Sequence, residues 1–87
     1  HELEDCLPDR HSPDEALEAR ETAAIISAFL RRQEETDRKL FIRRYFHLES
    51  LEELRAEFSM TEGQVQSRLH RLRKKLKAKL EREGVAV

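Results

Sequence analysis

The sequence predicts an all-α fold: a four-helix domain that ends in a helix-turn-helix and carries no wing. Three observations lead there. Gly and Pro are scarce, two of each in 87 residues, while Leu, Glu, Arg, Lys and Ala dominate, a composition that favours helices. Helix-start signatures recur at Ser12, Ser50 and Thr61. Val65, Leu69, Leu72, Leu76 and Leu80 repeat at helical spacing and form one stripe that must be buried.

Taken in order, residues 1–12 place Leu3, Leu7 and Pro8 among acids and read as an extended or poorly ordered lead-in. The domain proper is expected over residues 13–85. Ser12-Pro13-Asp14-Glu15 combines a Ser cap, Pro at the first helical position and Glu three residues after the cap. The first helix should run to about Arg32, with Ala16, Ala19, Ala23, Ile26 and Leu30 as its apolar positions and Ile25 and Phe29 widening the stripe. Gln33–Thr36 is a polar link, and a second helix is expected to begin near Thr36 or Asp37. It carries Leu40, Phe41, Tyr45 and Phe46, with Arg38, Lys39, Arg43 and Arg44 on a basic side, and His47-Leu48-Glu49 leaves it.

Ser50-Leu51-Glu52-Glu53 is a capping box that starts a short third helix to about Phe58. Thr61 and Gln64 form another box, and the fourth helix should end near Glu83 with Gly84 as its C-cap. Leu40, Phe41, Tyr45, Phe46, Leu48, Leu51, Leu54 and Phe58 are expected to be mostly core, the alternative being that one or two stand exposed in a groove for a partner. A chain of this size buries roughly 60–65% of its unfolded surface.

The net charge of −1 hides a strong asymmetry. The first 21 residues hold eight acids (Glu2, Glu4, Asp5, Asp9, Asp14, Glu15, Glu18 and Glu21) against Arg10 and Arg20. From Gln64 to Leu80 there are seven Lys or Arg residues and no acid. A helix buried on one side and cationic on the other suits a polyanion, and a DNA groove is the obvious one. In a helix-turn-helix the second helix enters the major groove by its N-terminal end.

Other classes find little footing. Cys6 stands alone, so no intramolecular disulfide forms, which fits a reducing cytoplasm. No apolar run approaches the ~18 residues of a membrane span, and no signal peptide is visible. The chain opens at His1 rather than Met, as a piece of a longer protein would. His1, His11, His47 and His70 lack metal-ligand spacing, with each other or with Cys6, so no metal or other cofactor is expected. There is no Gly-rich phosphate loop and no Ser/His/Asp pattern. The expectation is a protein that binds rather than catalyses.

Ser50-Leu51-Glu52-Glu53-Leu54, then Met60 to Arg71, then Arg73-Lys74-Lys75-Leu76, resemble region four of bacterial RNA polymerase sigma factors, closest to the extracytoplasmic-function group. The pattern in that group is near S-x-E-E-I-A followed by S-E-G-T-V-K-S-R-L-H-R-A-R-K-K-L. Leu40 to Phe46 is similar to the V-F-L-L-R-Y-F run that precedes it, and the likeness extends over roughly residues 13–85. The resemblance implies a module that reads the minus-thirty-five promoter element and docks on the flap of the polymerase β subunit. It also implies an anti-sigma protein as a further partner, and that the chain is the C-terminal half of a sigma factor. Four positions depart from the pattern: Arg55 replaces a small Ala, Ser59 replaces the turn Gly, Gln66 replaces Lys or Arg, and Gln33-Glu34 replaces Leu-Pro. A Ser forced to positive φ at position 59 would cost on the order of 1 kcal/mol.

Gln66, Ser67, Arg68, His70 and Arg71 match the groove-facing positions of that family. Helical spacing agrees, since Ser67, His70 and Arg71 share a face away from the Val65/Leu69/Leu72 seam. Arg can bind guanine O6 and N7 together, and Gln can do the same for adenine. The free amides at Thr61, Glu62 and Gly63 suit a phosphate, and Gly63 would let a strand approach closely, while Glu62 favours the helix dipole. Arg43, Arg44, Lys74 and Lys75 are further candidates for phosphate, whereas Arg73, Lys77 and Lys79 read as a solvated run. Two rivals remain: a protein-docking domain with an incidental basic face, and the output domain of another helix-turn-helix regulator, which would typically dimerise. The sigma-like module is expected to be monomeric.

Overall fold

The computed structural model describes the backbone of residues 15–84 and the side chains of residues 20–84. Four helices follow one another: α1 (Glu15–Arg31), α2 (Glu35–Tyr45), α3 (Leu51–Phe58) and α4 (Glu62–Arg82). No strand occurs among the described residues. The expected lead-in and the Ser12-Pro13 helix start lie outside them. None of these helices is long and apolar enough to cross a membrane.

The chain forms two compact units: residues Gln33–Leu72, and the two flanking segments that end at Arg32 and begin at Arg73. The 33–72 unit holds α2, α3 and the first half of α4. Leu40, Leu54, Val65 and Leu69 make its core, one or two from each helix, all at most 1% exposed. Tyr45, Leu51, Phe58 and Met60 pack around them. Phe41 is also fully buried and meets Tyr45 edge-on with ring centroids 4.8 Å apart.

Local chemistry fixes the helix ends of this unit. The Ser50 hydroxyl accepts from the Glu53 amide at 3.1 Å, and the Glu53 carboxylate accepts from the Ser50 amide at 3.1 Å. Both halves of the capping box are therefore made. At the other end of α3, Ser59 takes the left-handed conformation (φ 54°), and the Met60 amide returns to the Arg55 carbonyl at 3.2 Å. That reversal closes α3 and turns the chain into α4 within three residues, Ser59 to Thr61. Arg55 is exposed, so its size does not disturb the packing between helices.

Three expectations need correction. Helix α2 starts at Glu35, one residue ahead of Thr36, because Glu34 (φ −57°, ψ 147°) supplies the entry and its carbonyl accepts from the Arg38 amide at 2.9 Å. Within α2, Lys39 stands one turn beyond Glu35 at 3.0 Å and, by this hydrogen bond and its charge, holds the Glu35 carboxyl below its ordinary pKa. Second, Phe46 and Leu48 are 57% and 82% exposed and not core. Phe46 comes after the last helical residue, and Leu48 turns the chain with φ 58°.

The third correction concerns the flanking unit, which holds α1 and the second half of α4. Thr22, Phe29 and Leu30 are buried in α1, with Ile25 and Ile26 half-buried, while Ala23 is exposed. The phase of the stripe follows the large side chains, which gain far more from burial than a methyl does. It keeps Ile25, Ile26, Phe29 and Leu30 inward as expected but takes Thr22 in place of Ala23, its Oγ1 buried with no hydrogen-bond partner among the described residues. Leu76 and Leu80 of α4 are fully buried. At its end Gly84 adopts φ +80° and its amide donates to the Glu81 carbonyl at 3.1 Å, as a glycine C-cap should.

Candidate nucleic-acid interface

The first half of α4 begins with a complete capping box. The Gln64 amide donates to Thr61 Oγ1 at 3.1 Å, and the Thr61 amide donates to Gln64 Oε1 at 2.9 Å. The Val65 amide closes the first turn on the Thr61 carbonyl at 3.1 Å. Val65, Leu69 and Leu72 then face the core at 0%, 1% and 2% exposure. Burial of this seam fixes the rotation of the helix and leaves Gln66, Ser67, His70 and Arg71 exposed. These four form a polar row with donors and acceptors suited to base edges.

Thr61 and Gly63 are exposed at the helix entrance. A Cβ placed on Gly63 would have Thr61 Oγ1 as its nearest neighbour, at 4.0 Å, so no packing within the chain demands a glycine there. Lys74 and Lys75 are exposed further along α4, in the stretch that belongs to the flanking unit. Of the three cations read as a solvated run, Lys77 is exposed, Arg73 is half-buried, and Lys79 pairs with Glu83 at 3.3 Å with its side chain only 18% exposed.

The remaining predicted cations are engaged inside the 33–72 unit. Arg43 reaches Glu57 at 2.6 Å and Glu49 at 3.6 Å, with its guanidinium 5.9 Å from the Phe58 ring centre. Arg44 donates to the Glu49 carbonyl at 2.9 Å. Together they tie the end of α2 to the α2–α3 link and to α3. A phosphate at Arg43 would exchange one ion pair for another. Arg68 is half-buried and donates from Nη1 to Asp37 Oδ1 at 2.8 Å. Asp37 carries no sequence signal of a place here: its partner lies 31 positions away, and only the packing of α2 on α4 brings them together.

No protein-family model matches the chain, and comparisons with curated proteins and with solved structures return no match.

Proposed function

We propose that this chain is a DNA-reading module of a transcription initiation factor of the sigma type, acting in the cytoplasm as a monomer that binds the minus-thirty-five element of promoter DNA. The exposed row Gln66, Ser67, His70 and Arg71 carries the reading. It stands on a capped helix that follows a three-residue turn, with its opposite face locked into the core. In this reading α4 enters the major groove by its N-terminal half. Arg71 and Gln66 address base edges, and the Glu62 and Gly63 amides hold a phosphate, the Thr61 amide expected to share that role being taken by Gln64 Oε1. Lys74 and Lys75 add sequence-independent attraction to the backbone. Affinity therefore falls steeply with salt, because each neutralised phosphate releases a counterion. No step is catalytic.

A protein-docking role is the second reading, favoured by Phe46 and Leu48, two large apolar side chains of the same unit that are 57% and 82% exposed. Within a sigma factor they would face the polymerase β flap or an anti-sigma protein. The deciding experiment is selection from a random duplex pool at low salt. Enrichment of one short motif supports the DNA reading. Binding without enrichment refutes it and moves the docking role forward.

A further inference from the structure

We infer that Asp37 is a positioning residue for base readout: from α2 it fixes the guanidinium of Arg68 on α4 and so sets the preference for one base. The inference rests on the DNA reading above and names a determinant of specificity within it. Asp37 stands three residues before the fully buried Leu40, on the same face of α2. Arg68 immediately precedes the buried Leu69 on α4. Since Leu40 and Leu69 belong to one core cluster, the carboxylate is held at a fixed place against the guanidinium. The two side chains are 22% and 31% exposed, so the pair is shielded more than a surface ion pair and still reachable from outside.

Chemistry makes this arrangement specific. Of the five N–H donors of Arg68, the bond to Asp37 uses one on Nη1. The others remain for the paired acceptors of guanine, and a guanidinium pinned at one corner has fewer orientations to lose on binding. The carboxylate also cancels the charge that would let Arg68 hold any phosphate. Asp37 should therefore weaken binding to random DNA while sharpening the choice of base. A merely structural contact would move both in the same direction.

The test compares wild type, Asp37→Asn, Asp37→Glu and Arg68→Ala by duplex selection, anisotropy on selected and random duplexes over a salt series, and thermal unfolding. Asp37→Asn should bind random duplex more tightly, with a salt slope steeper by about one phosphate. Its preference at a single base position should fall by roughly tenfold, at the position lost in Arg68→Ala. Asp37→Glu keeps the carboxylate and should retain that preference better, and it carries the comparison if Asp37→Asn fails to fold. An unchanged preference in Asp37→Asn beside a selective wild type overturns this inference alone, as does an equal loss at every position. A wild type that selects no motif overturns the DNA reading and this inference with it.

Discussion

Replacing Gly63 with Ala should make the protein more stable and a poorer DNA binder. Gly63 is the second residue of α4, is exposed, and does not have a positive φ. An added Cβ meets nothing nearer than Thr61 Oγ1 at 4.0 Å, an ordinary contact. With no strain introduced, the alanine gains by restricting the unfolded chain, by about 0.5–1 kcal/mol. In a domain of this size that raises the melting temperature by roughly 2–8 °C. On DNA the same methyl stands where a phosphate would approach the helix amides. Loss of one charge-assisted hydrogen bond costs about 1.5–3 kcal/mol, or roughly tenfold to a hundredfold in affinity. Circular dichroism melts and fluorescence anisotropy on one preparation read both effects. Undiminished DNA binding by Gly63→Ala would refute phosphate contact at this turn. A lowered melting temperature would refute the claim that the fold leaves room there.

Two further substitutions probe the scaffold. Ser59→Gly relieves a left-handed backbone at φ 54° that costs about 1–2 kcal/mol in a residue with a Cβ, partly offset by the greater freedom of unfolded glycine. Urea denaturation should show a net gain of up to about 1 kcal/mol, with DNA preference unchanged. Leu69→Ala empties a site only 1% exposed and should cost about 2–5 kcal/mol, enough to consume much of the stability of a small domain, with loss of helical signal near room temperature.

Much of the fold is legible in the sequence because its signals are local. The capping boxes at Ser50 and Thr61 and the glycine stop at Gly84 each involve residues within one turn of each other. Their hydrogen bonds and dihedral angles form as the residue types require. The leucine stripe of α4 is equally local, and its burial is what exposes Gln66, Ser67, His70 and Arg71. What escapes is set by tertiary packing. Asp37 reads only as a place where the second helix could begin until α2 lies against α4 and offers it Arg68. Arg43 and Arg44 read as free cations, yet Glu49 and Glu57 meet them once α2 and α3 pack. Phe46 and Leu48 look like core by hydropathy alone, but they fall where α2 has ended and the chain turns away. Thr22 is drawn inward by the large side chains on either side of its stripe.

The central claim is that the first half of α4 reads bases, not merely charge. The most direct measurement is anisotropy on the selected duplex and on a scrambled one, for wild type, Arg71→Ala and Lys77→Ala. Arg71 and Lys77 are both exposed cations of α4, so charge alone does not distinguish them. Arg71→Ala should lose about 1–3 kcal/mol on the selected duplex together with its preference at one base position. Lys77→Ala should leave the preference intact. Equal loss from both substitutions, on both duplexes, would contradict base readout and reduce the face to general electrostatics.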